Sequence, residues 1–518
     1  MDEFNFQDNI KVIIKKFKDN NFDFVIKRTN FILKDENNYD LLWTLRGISY
    51  LNKNDKINSL KCLKVAVRIN PKNIDAKNYL GNLYKSLNKL KEAEKCYNEC
   101  ININSNYISS LFNLANLKIM LNNFNEAILL YNRALKVTEN IEKIHINLAH
   151  AYQSTKQFKK AELILKKCLK KFPLSTEADR LLSSQINFIN DEDHLESMIK
   201  KLENKKINLN RNQKIDLLFS IGKGFEDKKD YKKSFHYYSK GNYLKRKTLK
   251  SNIDQKIILF DKVRSFFSNF EYKNNIFNKE KKIIFIFGLP RSGTTLIESI
   301  ISSHDKVSSV GEINFLSNFI NSNFFKDNKI VSKDISNFLR IGLKKEYFDY
   351  LSLFNLKNDI ITDKSLNNYF YLGFIKHFFP GSKLIHCQRN IEDNFLSIYK
   401  NLFTDNEAWK YDKEEMVKYY NLYKKIISFW NKKMSKDILN VNYEDLINNK
   451  DYTIKKIISH CGLNWSEKCL NHQKNNIPIR TLSVNQASKP IYSSSIGSSK
   501  NYKIYLKEMF HNLKLQSI

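Results

Sequence analysis

Small side chains return every 34 residues between positions 40 and 175. Gly47, Gly81, Ala115 and Ala149 form one register, Ser59, Ala93, Ala127 and Ala161 a second, and Ala66, Cys100, Ala134 and Cys168 a third. A small residue at a fixed place lets two helices approach closely, so three such registers constrain the packing of every unit. Tyr50, Tyr84 and Tyr152 recur as bulky partners, and Pro71 and Pro173 mark the ends of units. After an irregular region near 180–212, Gly222, Ser234, Tyr238 and Gly241 fit the same registers once more. A period of this length signals an array in which each unit packs mainly on its neighbours.

The pattern resembles tetratricopeptide repeats, helix–turn–helix units that stack into a solenoid. The resemblance implies a helical array over 1–250, with clear repeats at 40–175, a further unit at 215–245 and a degenerate capping unit at 6–39. Such arrays bind peptides or partner proteins on a concave face. Packing on the rest of the chain, or dimerisation, accounts for the same registers equally well. Residues 251–280 read as a helical connection, because Asn252–Phe270 keeps a helical pattern and no Gly/Pro/Ser linker follows.

A different kind of order begins at Lys281, in KKIIFIFGLPRSGTTLIESIISSH. Lys282–Phe287 is short, apolar and rich in Ile and Phe, which predicts a buried strand. Gly288 to Gly293 predicts a tight loop, and Leu296, Ile297, Ile300 and Ile301 share one face of a following helix. Strand, loop and helix in this order aim backbone N–H groups at one spot, which suits a phosphate or a sulfate. The glycine spacing is that of a nucleotide-triphosphate loop, but Thr294 stands where that loop carries its lysine. The lysine holds the transferring phosphate in kinases and NTPases, so its loss argues against that chemistry. Arg291 supplies a cation from within the loop instead.

Three further stretches end in charge. Val307–Val310 leads to Gly311 and Glu312, Ile360–Thr362 leads to Asp363 and Lys364, and Lys383–Gln388 leads to Arg389. A helix over Ile391–Phe403 follows and carries Ser397. Ligands in open α/β sheets sit at the carboxyl ends of strands. Arg291, Lys364 and Arg389 would gather there, a poor packing device and a good receptor for a multiply charged anion. Glu312 reads either as a catalytic carboxylate or as a dipole partner at a helix start.

Within an expected second domain at 281–518, the region of roughly 281–505 resembles protein-tyrosine sulfotransferases, and more closely the bacterial proteins that fuse tetratricopeptide repeats to such a domain. Gly288–Thr295 is similar to their 5′-phosphosulfate loop, and Arg389 with Ser397 to their 3′-phosphate clamp. The supporting stretches are Gly311-Glu312, Asp363-Lys364, Phe379-Pro380, Tyr443–Leu446, and Arg480–Tyr492 with its Lys489-Pro490-Ile491-Tyr492. The expected fold is α plus α/β: a solenoid, then a P-loop-type α/β domain with a parallel central sheet. The resemblance implies 3′-phosphoadenosine-5′-phosphosulfate as donor and a hydroxyl as acceptor, a protein tyrosine, a saccharide or a small compound. It makes Glu312 the general base, and gives Lys364, Ser483 and Arg291 the transferring group. Arg291, Ser292, Gly293, Thr294 and Thr295 would bind the 5′ end, Arg389 and Ser397 the 3′-phosphate. Tyr443 would contact the nucleotide and Lys500 would supply a late cation. The family often has an arginine where this chain has Asn401, with Lys400 as the substitute at hand. No metal is implied. A repeat scaffold whose second domain binds nucleotide without turnover is the alternative.

Composition adds little. The net charge of +33 suggests nucleic acid, membrane or an acidic ligand. The lysines are scattered over polar helix faces, however, which reads as a solvated surface rather than a specific nucleic-acid site. Seven cysteines, an odd number, fit reduced thiols in a cytoplasmic protein. No stretch of 18 apolar residues predicts a membrane span, and the acidic start MDEFNFQDN is unlike a secretory signal.

Overall fold

The computed structural model describes residues 3–270, 282–326, 329–330, 337–475, 477–479, 481 and 483–515. Residues 271–280 of the expected connection, and Arg480, therefore lie outside the described residues. The chain divides into two compact units, Met1–Leu148 and Ala149–Ile518.

The first unit is a series of antiparallel helix pairs, among them Asp40–Asn52 with Lys56–Ile69, Ile74–Ser86 with Leu90–Ile103, and Ile108–Met120 with Phe124–Val137. Side chains cap several of these helices: Asp55 accepts from the Asn58 amide and Asn73 from the Ala76 amide. The small registers do what their size predicts. A Cβ on Gly81 would stand 2.6 Å from Cε1 of Tyr97, and one on Gly47 2.8 Å from Cγ of Leu63. Each pair turns through one left-handed residue: Asn20, Asn54, Asn88 and Asn122, with φ of 58°, 62°, 58° and 58°. Asparagine tolerates that region because its short polar side chain bonds locally. The turn at Asn20, between helices Glu3–Lys18 and Phe22–Asp35, shows the same geometry upstream of position 40.

In the second unit the helices continue through Phe158–Lys171, Thr176–Ser183 and Glu192–Glu203 to the pair Arg211–Asp227 and Tyr231–Arg246. Gly222 there lies under Tyr238, as Gly81 lies under Tyr97. Helix Ile253–Ser268 then drives Phe267 against Gly373, Phe374 and Trp430.

The sheet has five strands: β1 (Lys282–Gly288), β2 (Val307–Ser309), β3 (Ile360–Asp363), β4 (Lys383–Gln388) and β5 (Ile438–Asn442). They lie in the order β2-β3-β1-β4-β5, and every pairing is parallel. β1 is central, with Ile284 opposite Ile361's neighbour Thr362 on one side and Lys383 on the other. Its residues alternate between two cores. Ile283, Phe285 and Phe287 join one, and Ile284 and Ile286 the other. Burial on both faces explains why this strand reads as an unbroken apolar run. β5, ILNVN, is too short and too polar to stand out in the sequence. The helix expected over Ile391–Phe403 stops at Tyr399, where the Asn401 side chain bonds the Ser397 carbonyl at 2.7 Å. All seven cysteines are buried. No helix among the described residues is long and apolar enough to cross a membrane.

Candidate active site

The loop after β1 is shaped by two left-handed residues, Arg291 at φ 67° and Gly293 at φ 100°. Gly293 caps helix Thr294–Ser302, and a Cβ there would stand 2.9 Å from Cδ2 of Tyr443. The loop is pinned from helix Ile391–Tyr399, where the Asn394 amide donates to the Pro290 carbonyl at 3.0 Å.

Arg291 donates from Nε to the Ser397 hydroxyl at 3.1 Å, and from its two terminal nitrogens to Ser483 Oγ and Gln486 Oε1. Burial and the neighbouring Arg389 push its pKa down to about 10. Arg389 donates to the Arg291 carbonyl at 3.2 Å and the Ser495 carbonyl at 2.7 Å. Its guanidinium lies 4.8 Å from the centre of the Tyr443 ring, and the Tyr443 hydroxyl pairs with Ser495 Oγ at 2.9 Å. Two guanidinium groups held this close lack a neutralising carboxylate in these contacts. Among the described residues, the buried Ser292 Oγ and Arg389 Nε find no hydrogen-bond partner. Such donors in a protein interior call for an acceptor. The cradle fits an anion.

On the other side of the loop, two carboxylates flank Lys364. Its ammonium lies 2.5 Å from Glu312 Oε1, 3.5 Å from Thr295 Oγ1 and 4.0 Å from Glu298 Oε2. Backbone bonding sets this up. The Val310 amide donates to the Thr362 carbonyl, the Lys364 amide to the Gly311 carbonyl, and Ser365 Oγ to the Ile313 carbonyl, which joins the two strand ends. Asp363 braces the turn by accepting from Tyr347 Oη at 2.9 Å and the Ser365 amide at 3.1 Å; burial raises its pKa to about 6. Glu312 does not cap the next helix. Phe315–Phe324 starts at Asn314, and the Glu312 carboxylate belongs to Lys364.

The loop, Glu312, Lys364, Arg389, Ser397, Tyr443 and Ser483 thus come together from six separate stretches. Lys500 is exposed, its side chain resting over Gly497 in the turn after Ser495. Lys400 does not replace an arginine beside Asn401: it forms an ion pair with Glu226 at 2.5 Å. Two participants went unseen in the sequence. Gln486 shares Arg291 with Ser483. Glu298 is buried, accepts from Ser309 Oγ at 2.8 Å and Thr362 Oγ1 at 3.2 Å, and has its pKa raised by burial against the opposing pull of Lys364. A carboxylate amid Leu296, Ile297, Ile300 and Ile301 was the available signal.

Compared with known proteins, residues 284–467 match the model described as the sulfotransferase family. Residues 284–467 carry a sulfotransferase-family domain. Upstream of this sulfotransferase domain, residues 74–107, 108–141 and 142–170 match the tetratricopeptide repeat. An uncharacterized protein of Aquifex aeolicus (strain VF5) is 28% identical over 310 residues, 57% of this chain and 41% of that protein. The chain thus spans under half the length of this relative. Among solved structures, MamA is 19% identical over 31% of this chain and 93% of its own, with a TM-score of 0.29. YrrB, described as a TPR protein with an unusual peptide-binding site, is 16% identical over 36% of this chain and 93% of its own, with a TM-score of 0.29. The C-terminal part of a TPR repeat-containing protein from Cytophaga hutchinsonii is 16% identical over 45% and 94%, with a TM-score of 0.37.

Proposed function

We propose that the sulfotransferase domain moves the sulfuryl group of 3′-phosphoadenosine-5′-phosphosulfate to an acceptor hydroxyl, that of a protein tyrosine, a saccharide or a small compound. The observation that carries the reading is the pair of guanidinium groups over the loop, with Ser292 Oγ and Arg389 Nε buried and unpartnered. A nucleotide with phosphates at both its 3′ and 5′ ends supplies an acceptor for each. The loop amides, Arg291, Ser292, Thr294 and Thr295 would take the 5′ end. Arg389 and Ser397 would take the 3′-phosphate, with Tyr443 against the base or ribose and Lys500 at the rim.

The chemistry then follows from Lys364. When the sulfuryl oxygens reach its ammonium, they compete with Glu312 for it. Glu312, whose side chain is 42% exposed, is thereby freed toward solvent and the acceptor. A phenol has a pKa near 10, so its attack on sulfur is helped by a carboxylate that takes the proton as the new S–O bond forms. The bond from sulfur to the 5′-phosphate oxygen breaks, and Arg291, Ser483, Lys364 and the loop amides meet the charge that develops there. The tetratricopeptide repeats would recruit or orient the acceptor.

The test is ligand-dependent melting. 3′-Phosphoadenosine-5′-phosphate should raise the melting temperature clearly more than ATP at equal concentration, because only it carries the 3′-phosphate that Arg389 and Ser397 would bind. Equal shifts from the two nucleotides would reject the assignment.

A further inference from the structure

The left-handed turn residue that is asparagine at 20, 54, 88 and 122 is lysine at 156, with φ 60°, and again at 229, with φ 61°. Lysine lacks the short polar side chain that makes this region tolerable for asparagine. The Lys156 ammonium instead donates to the Asn475 carbonyl at 2.6 Å and to Asn475 Oδ1 at 2.8 Å. The Asn475 amide in turn donates to the Ser299 carbonyl at 3.2 Å and Ser303 Oγ at 2.7 Å, on the helix that follows the anion loop. Neighbouring residues hold the same stretch of chain. The Ser154 carbonyl accepts from the Ile479 amide at 2.9 Å, Phe158 packs on Ile479, Val484 and Ala487, and the Ser184 carbonyl accepts from the Asn485 side chain at 2.5 Å. The helical turn Val484–Ala487 therefore has the repeat helices on one side and the anion loop on the other. From it, Gln486, together with Ser483 at its cap, holds Arg291.

We propose that Lys156 is a positioning residue for the donor site, and that donor occupancy is coupled through Asn475 and the Val484–Ala487 turn to the repeat turn Ser154–Phe158. The proposal rests on the reading of the loop as a 3′-phosphoadenosine site. Through the coupling, whatever engages this repeat turn biases donor affinity, and donor binding biases the repeat turn to the same extent. The route is a chain of direct contacts: Lys156 fixes Asn475, Ser154 and Phe158 fix Ile479 and Val484, and Ser483 and Gln486 fix the guanidinium that faces the ligand.

The experiment uses the full chain, the Lys156→Asn variant and 3′-phosphoadenosine-5′-phosphate as probe. Lys156→Asn restores the residue found at four sister turns, so the turn should keep its geometry and the variant should fold; losing the two hydrogen bonds to Asn475 should lower its ligand-free melting temperature by no more than a few degrees. Its Kd for the probe, measured by calorimetry, should rise about tenfold, within the usual span of coupling between sites. A residue that merely stabilised the turn would lower melting and leave the affinity of the folded variant, measured well below its melting temperature, unchanged. On the unmodified chain, the probe should also slow hydrogen exchange of the amides at 154–158. A variant Kd within twofold of the unmodified value, or unchanged exchange at 154–158 on saturation, overturns the coupling. Failure of the unmodified chain to bind the probe overturns the donor-site reading, and the coupling falls with it.

Discussion

Replacing Lys364 by methionine keeps the length of the side chain and deletes its charge. The Lys364 side chain has no exposed surface, and that of Glu298, 4.0 Å from the ammonium, is 10% exposed. Removing one member of a buried pair costs about 3–5 kcal/mol when the survivor stays ionised. Glu298 has a way out, because it can protonate. Burial already holds its pKa above the ordinary 4.5, and Lys364 is the largest influence pulling it down. Without Lys364 it climbs further. A carboxyl whose folded pKa is raised keeps its full contribution below the unfolded value and loses it as pH rises through the folded value. The variant should therefore lose little stability near pH 5. Toward pH 8 the loss should grow to about 3–5 kcal/mol, or roughly 5–10 °C of melting temperature. Glu298→Gln in the same background should recover most of the loss at pH 8, since it removes the stranded charge and keeps a donor and an acceptor for Ser309 and Thr362. Glu312→Gln alone should cost under about 1 kcal/mol, because its carboxylate is 42% exposed and screened by water. The assay is calorimetric melting of the four proteins at pH 5 and pH 8. An equal loss for Lys364→Met at both pH values, with no recovery from Glu298→Gln, would refute the assignment of a buried Glu298–Lys364 pair.

Two further outcomes are expected. Glu312→Gln should lower turnover by roughly 10²-fold or more, measured as transfer of labelled sulfate from the donor, with the affinity for 3′-phosphoadenosine-5′-phosphate unchanged; normal turnover in the folded variant would reject the base. Gly293→Ala should cost about 1–2 kcal/mol, because the residue holds φ 100° and its new Cβ would stand 2.9 Å from the Tyr443 ring. By moving the ring on which Arg389 stacks, it should also weaken binding of that nucleotide in calorimetry. Unaltered affinity would remove Tyr443 and Arg389 from the site.

What could be read from the sequence were the features with a local period or a local shape. The three small registers predicted the close helix pairs because Gly81 and Gly222 leave room for a tyrosine 16 residues later, and nothing distant is needed for that. The strand, loop and helix at 282–302 were legible for the same reason, as a run of Ile and Phe broken by glycine and proline. Glu298 was not, since its role depends on Ser309, Thr362 and Lys364, which reach it only after β2 and β3 pair. Lys400 misled because sequence neighbourhood to Asn401 says nothing of Glu226, 174 residues away, which takes its charge. The contacts of Asn475 with Lys156 span 319 positions and leave no trace in either local pattern.

The parallel sheet also sets a timetable for synthesis. Each helix pair can close as soon as its second helix leaves the ribosome, since its contacts are short in sequence. β1 has no such partner. Its neighbours begin at Ile360 and Lys383, and Arg291 waits for Ser483, 192 residues later. At 5–20 residues per second, an apolar strand that ends up buried on both faces waits roughly 4–16 s for its first strand partner, and Arg291 roughly 10–40 s for Ser483. Helix Tyr231–Arg246 carries Phe235, which later stacks on Tyr399 and Tyr505, and until those rings arrive its aromatic face is open to the emerging chain.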